Sequence, residues 1–420
     1  MAGKTRENPQ KEDAFCEFLA FPSLSPDPLG SLLMNQRTLR LGLPLALAGF
    51  PVPFLPATAT PMRVYLGTYT DTTSRGIYVL QFDPADGSIS PATLAAAADN
   101  PTFLALDPAK THLYATGTVR VEPAAPQPRG GISAFAIDPD SGMLRLLNQQ
   151  PTGGGATTHV VVDATGRMVI AANYGDAYVC ALPVQADGSL GPRSAFISHV
   201  GRAPLGPNHD RQTQAHAHSV TLSPDNRFVF ACDLGLDRIF SYRLDPATAN
   251  LIPNDPPFAV VPPGSGPRHS KFSADGRFYY VADEMGGTVC AYAYAADRGA
   301  LTLLQVAPTL PADFKALNTV AEIRLSPDQR FVYVSNRGHD SIAVFARDPA
   351  QGTLTRVEIV PCGGQHPRNF ALSPEGRWLL CANRDTDNVV VFRVDPATGR
   401  LTATGAQTKV PHPVCVLFAD

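Results

Sequence analysis

The chain has 420 residues, 44% of them hydrophobic and 17% charged, enough to bury a large core and too many for one small domain. Its formal net charge of -3, with no run of Lys and Arg, supplies no electrostatic footprint for nucleic acid. The 40 prolines and 34 glycines follow no collagen-like period. Set among many Val, Tyr, Phe and Thr, they place frequent turns between short strands, so the composition points to an all-β protein.

The N-terminus stands apart from that pattern. Residues 1–33 are polar with no clear period, and M-N-Q-R-T-L-R, from Met34, leads into L-G-L-P-L-A-L-A-G-F-P-V-P-F-L-P and then Ala57 to Ala59. A short positive region, an apolar stretch and a small-x-small site make a secretory signal peptide over residues 34–59 if translation starts at Met34. Pro44, Pro51, Pro53 and Pro56 weaken the apolar segment as a helix and argue against a stable membrane span. The alternative is the disordered tail of an intracellular protein. On the first reading the mature protein is periplasmic or secreted, on the second cytoplasmic; either way residues 1–61 are a tail and the domain occupies residues 62–420.

From Met62 onward the chain repeats. D-P-A-K at Asp107, D-A-T-G-R at Asp163, S-P-D-N-R at Ser223, S-A-D-G-R at Ser273, S-P-D-Q-R at Ser326 and S-P-E-G-R at Ser373 recur about every 47 to 60 residues. Each follows a strand-like run and precedes another, such as F-V-F-A-C-D or F-Y-Y-V-A-D, so the motif is the tight turn of a hairpin. Its residues are turn formers and structural. A third strand, a D-P-A-x-G turn and a fourth strand follow, and four antiparallel strands per repeat make a propeller blade. The domain opens on R-V-Y-L-G-T-Y-T, which reads as a second strand with no first. The chain ends on P-V-C-V-L-F-A, Pro413 to Ala419, a first strand with no second. Together they complete one blade. The expected fold is an all-β, seven-bladed propeller closed by strands from both termini, with no open sheet edge.

The six cysteines beyond the tail are widely spaced without a C-x-x-C pair and sit in strand-like runs, which reads as buried free thiols. In an antiparallel hairpin the start of the first strand and the end of the second lie at the same end. Counting from the last residue of each turn motif, His218, Arg268 and Arg368 stand nine residues before, and His159, His269, Glu322 and Asn369 eight before. Tyr174, Asp233, Glu284, Arg337 and Arg384 stand six or seven after it. Both sets converge on one face of the ring around the channel mouth, and acids beside several Arg and His suit an anionic substrate. His216 and His218 form an H-x-H pair that could face one metal, but no third ligand has suitable spacing. For His218 an acid/base role or a structural one are the other readings. Glu322 serves either chemistry or the bracing of an arginine.

Several motifs are together specific: Y-L-G-T-Y-T, A-N-Y-G, H-A-H-S-V, G-P-R-H, A-E-I-x-x-S-P-D, S-N-R-G-H-D-S-I-A-V-F and the terminal P-V-C-V-L-F. From about Val64 to the C-terminus the chain resembles the propeller lactonases. That family includes bacterial 6-phosphogluconolactonases and, more distantly, the fungal carboxy-cis,cis-muconate lactonizing enzyme. The resemblance implies hydrolysis of a sugar lactone, 6-phosphogluconolactone foremost, by activated water, with no metal and no redox cofactor. By motif order it places the catalytic set on His218, Arg268, Glu284 and Arg337, the residues that the repeat spacing also brings together. His159, His269, Glu322, Arg368 and Arg384 are the expected substrate-binding residues. Glu284 or His218 would be the general base, and no G-x-S-x-G elbow offers a serine nucleophile. The partner is then a small sugar lactone. A muconate-type cycloisomerase and a non-enzymatic propeller scaffold remain alternatives at this stage.

Overall fold

A computed structural model of the protein describes residues 60–120 and 129–419; the expected signal peptide lies outside them. Twenty-eight strands form seven four-stranded antiparallel sheets, with no helix among the described residues. One sheet joins Pro413–Phe418 to Met62–Thr68, Gly76–Phe82 and Thr93–Ala97, so the two ends of the domain share a blade. Numbering that closing blade 1, the innermost strands of blades 2 to 7 are Leu104–Leu106, Thr157–Val162, Ala217–Leu222, Pro267–Phe272, Thr319–Leu325 and Pro367–Leu372. Each inner strand touches those of its two neighbours, which closes the ring.

Burial follows from this stacking. The second strand of a blade is covered on both faces by adjacent blades, so Met168–Asn173, Phe228–Asp233, Phe278–Asp283 and Trp378–Asn383 are buried at every residue and read as continuous apolar runs. Fourth strands lie outside and consist mostly of exposed and half-buried residues. All six described cysteines are free and buried in these layers.

Two repeated devices hold the ring. The first is within the blade. In the S-P-D-x-R turns the first serine takes the backbone N–H of the next strand, as Ser223 Oγ does from Phe228 at 2.9 Å and Ser273 Oγ from Phe278 at 3.0 Å. The second joins blades. Tyr65, Tyr114, Tyr280 and Tyr333 donate to the carbonyls of Gly142, Gly188, Gly352 and Gly399 in the next blade, at 2.7 to 2.9 Å. Those glycines have φ between 71 and 82°, and a Cβ there would collide with the residue that opens the preceding blade's second strand: His112 at 2.1 Å from Gly188, Phe278 at 2.1 Å from Gly352. Glycine is required on both counts. At the closure, Trp378 lies against Gly87 and its indole N–H donates to the Pro84 carbonyl at 3.0 Å.

Candidate active site

Where the inner strands begin, the ladder between first and second strands is broken by one or two extra residues. The shift falls between Thr157 and His159, Ala217 and Ser219, Pro267 and His269, Val320 and Ile323, and Pro367 and Asn369. Such a bulge leaves its extra residue outside the ladder and re-aims its side chain. The extra residues include His218, Arg268 and Arg368. Consecutive residues thereby serve one site: Arg268 reaches Glu284 while His269 reaches Glu322.

Glu284 is the centre of charge. It follows directly on the second strand of blade 5; its N–H donates to the Gly266 carbonyl at 2.7 Å and its carbonyl accepts from Val320 N–H at 2.9 Å. One carboxylate oxygen accepts from Arg268 Nε and Arg337 Nη2, both at 2.9 Å, and the other from Arg211 Nη2 at 2.5 Å. Arg268 and Arg337 are otherwise tied to backbone carbonyls: Arg268 to Ala321 at 2.6 Å, and Arg337 to Val320 at 2.9 Å. Burial alone would raise the Glu284 carboxyl, but Arg337 and Arg268 hold it well below the usual carboxylate range. Burial, with Arg337 and Arg368 alongside, pulls the Arg268 guanidinium down to about 9, which leaves it charged at neutral pH.

His218 is buried beside this cluster. Its ring stands edge-on to Tyr174 at 5.5 Å and to His269 at 5.2 Å, and its Nδ1 has no hydrogen-bond partner among the described residues. Burial, then the charge of Arg268, pushes it well below the ordinary histidine value, so its ring is neutral at pH 7. Arg368 lies half-buried with its guanidinium 5.3 Å over the Tyr69 ring, and it forms no ion pair with a carboxylate among the described residues.

The other expected residues fall into two places. His159, His269 and Glu322 form a deeper layer: His159 packs on Phe103 at 3.9 Å and on His269 at 5.2 Å. Glu322, fully buried, accepts from His269 Nδ1 at 3.1 Å and from Asn369 Nδ2. Glu322 thus braces histidine and asparagine, with Arg324 3.6 Å away. Arg384 stays at the rim, paired with Asp385 at 2.5 Å, and is not drawn into the Glu284 cluster. His216 stacks on Tyr174 at 4.1 Å and directs Nδ1 to the Tyr174 carbonyl at 2.9 Å, so the H-x-H pair grips that tyrosine. No group of three potential metal ligands is found among the described residues.

Sequence reasoning missed Arg211. It comes from the connection between Ala195–Ser198 and the inner strand of blade 4, which has no counterpart in the other repeats. Gln212 anchors that connection by donating to the Leu234 carbonyl and Asp237, each at 2.8 Å. Its unusual length was the available signal.

The family described as "Lactonase, 7-bladed beta-propeller" matches residues 63–418. The 6-phosphogluconolactonase of Bacillus subtilis (strain 168) is 38% identical over 354 residues, covering 84% of this chain and 97% of that protein. A 6-phosphogluconolactonase of Formosa agariphila is 34% identical over 318 residues, covering 73% of this chain and 85% of its own. The periplasmic gluconolactonase of Pseudomonas aeruginosa superposes with a TM-score of 0.80 at 38% identity, over 86% of this chain and 99% of that one. The chain therefore belongs to the seven-bladed propeller lactonases, carboxylic-ester hydrolases that open lactones.

Proposed function

We propose that the protein hydrolyses a sugar lactone, 6-phosphogluconolactone foremost, at the mouth formed by His218, Arg268, Glu284, Arg337 and Arg368. The observation that carries this reading is a neutral histidine beside guanidinium groups that a buried carboxylate holds in place. Water attacks the lactone carbonyl carbon and gives its proton to His218; the new C–O bond converts the carbonyl oxygen to an oxyanion. Arg268 and Arg337 stabilise that charge without reorganising, because Glu284 and backbone carbonyls already fix their positions, and Arg368 adds its charge from the Tyr69 side. Collapse breaks the bond between carbonyl carbon and ring oxygen. The ring oxygen takes the proton from His218 and leaves as a hydroxyl, and the product is an open-chain carboxylic acid that releases its remaining proton to solvent as it ionises to the carboxylate.

Of the two base candidates this favours His218. A carboxylate bonded to three guanidiniums is stabilised in its charged form and is a poor proton acceptor. Glu284 is better suited to hold the arginines, with Arg211 closing the fourth side of its carboxylate. His159, His269 and Glu322 support the floor.

A second reading, the unphosphorylated gluconolactone, is favoured by the leader-like segment at residues 34–59 and by the periplasmic enzyme among the solved relatives. On that reading residues 34–59 direct export from a start at Met34, and residues 62–420 act in the periplasm or as a secreted domain. Fresh 6-phosphogluconolactone and gluconolactone, each corrected for spontaneous opening, discriminate the two by kcat/KM. His218→Asn, which removes the proposed proton acceptor, should lower kcat by about 10²- to 10⁴-fold on whichever is preferred. Undiminished activity in that variant would remove His218 from the chemistry.

A further inference from the structure

The Glu284 cluster occupies only one side of the channel mouth. Blades 4 to 7 supply His218, Arg268, Arg337 and Arg368, whereas at the equivalent inner-strand position blades 2 and 3 carry Thr102 and Thr158. On that second side a cleft of about 460 Å³ opens, within the size range of small-molecule sites. Its wall is neutral and rich in hydrogen-bonding groups, with Asn100, Thr102, Thr118 and Thr158 among its side chains. Its backbone comes close at Gly117, Gly130 and Gly155. Its one carboxylate, Asp71, is held by His412 Nδ1 at 2.8 Å.

The cleft joins the reacting centre at two points. Tyr69, one of its walls, lies beneath the Arg368 guanidinium. Thr158 Oγ1 donates to the His218 carbonyl at 3.0 Å. From there it runs outward: Arg129 stands on the third strand of blade 2, two strand spacings or about 10 Å further from the axis than that blade's inner strand. A molecule whose ester is held at His218 and the arginines would therefore extend along a row of hydroxyl and amide groups.

We propose that this cleft seats the hydroxyl-bearing carbon chain of the substrate and sets the preference for polyhydroxylated lactones over plain ones. The proposal rests on the sugar-lactone reading above and adds where the sugar lies. Groups that hydrogen-bond a substrate's hydroxyls lose those partners when the hydroxyls are missing, so they discriminate strongly against a plain lactone.

The cleft can be filled without disturbing the fold. A Cβ built on Gly155 meets nothing closer than 3.5 Å, and its φ is not in the left-handed region, in contrast to Gly130, where a Cβ would collide with the Gly155 carbonyl at 1.7 Å. Gly155→Trp therefore adds an indole at the cleft wall without a backbone clash, and Thr118→Val removes one hydroxyl at constant volume. The test compares kcat/KM for glucono-1,5-lactone and for δ-valerolactone, which lacks hydroxyls, in the full-length protein and both variants. Gly155→Trp should lower the gluconolactone value by about tenfold or more through KM and leave δ-valerolactone nearly unchanged, with Thr118→Val a milder case of the same selectivity. Equal losses on both lactones, or an unchanged gluconolactone value in Gly155→Trp, would overturn the proposal. Saturation-transfer NMR with D-gluconate judges the cleft independently of turnover. Saturation of the carbon-chain protons that disappears in Gly155→Trp supports it, and no saturation in the unaltered protein overturns it. An unaltered protein that opens neither lactone would refute the sugar-lactone reading while that binding result still decides the cleft.

Discussion

Replacing Glu284 by glutamine separates its two possible roles. If Glu284 were the base, Gln would remove the proton acceptor and leave the fold intact, as the sequence alone suggests. The structure predicts otherwise. Arg268 and Arg337 are 2% and 7% exposed, and Glu284 is the carboxylate bonded to both. Removing one partner of a buried ion pair while leaving the other charged costs about 3–5 kcal/mol. A glutamine also has to turn its NH₂ toward a guanidinium, replacing an acceptor by a donor. At about 2 °C per kcal/mol for a domain of this size, Tm should fall by about 6–10 °C. Activity should fall too, by about 10²-fold or more, because the oxyanion donors lose their alignment. The acid limb of kcat/KM against pH should nevertheless persist, moved to lower pH, since that limb belongs to His218 and the variant loses the Glu284 charge that raises it. Thermal melts of Glu284→Gln, with its pH profile beside that of the unaltered protein, check this. An unchanged Tm together with a vanished acid limb would refute the bracing role and return the base to Glu284.

Three further outcomes follow from the same structure. His159, His218 and His269 are all held well below their ordinary pKa, by burial first, so unfolding lets each bind a proton below about pH 6.5. His366, lowered to about 3 with burial the first cause, adds a fourth, and Asp283, raised by burial to about 7, opposes them by keeping a proton that the unfolded chain lacks; near pH 5 the unfolded state holds about three protons more than the folded one, and stability should fall by about 4 kcal/mol for each unit the pH is lowered in denaturant titrations. Ala249 has φ 51° at the turn position where other blades carry glycine, facing Met168 instead of an aromatic ring, so Ala249→Gly should raise stability by up to about 1 kcal/mol in the same assay. Arg129→Ala should raise KM for 6-phosphogluconolactone by about tenfold and leave gluconolactone unchanged, because a phosphate at the end of the sugar chain would meet that guanidinium and a hydroxyl would not need it.

The blades were legible because their turns are chemically constrained. A serine that caps the next strand and a residue that accepts positive φ recur at fixed offsets, and the apolar second strands announce burial on both faces. The convergence of His218, Arg268, Glu284 and Arg337 was legible for the same reason, since a fixed offset from a turn is a fixed height on the blade. Other features were not. Strict alternation along a strand sends Arg268 and His269 to opposite faces, and the bulge that lets both serve the mouth has no sequence signature in a single chain. Arg211 reaches Glu284 from a connection outside the repeat, where no offset applies. Arg384 has the correct height but a nearer partner: Asp385, the adjacent residue, takes its charge at the rim.

The division of labour inside a blade explains how one architecture holds so asymmetric a site. The contacts that close the ring, tyrosine hydroxyl to glycine carbonyl and second-strand ring to turn glycine, lie away from the mouth and make no use of the bulged residue. That residue is consequently free to vary, and it does: valine in blade 1, threonine in blade 3, histidine in blade 4, arginine in blades 5 and 7. In blade 6, where the bulge carries Ala321, the position contributes through its backbone, whose carbonyl fixes Arg268. Charge repulsion limits the pattern. Burial, with Arg337 and Arg368 alongside, lowers Arg268, and burial with Arg368 alongside lowers Arg337; without the Glu284 carboxylate that bonds Arg268 and Arg337 this pair of charges would not be stable in a low-dielectric site. The sparsely charged side of the mouth is the counterpart of that limit: its one carboxylate, Asp71, is held by His412, and the hydroxyl and amide side chains there need no counter-charge.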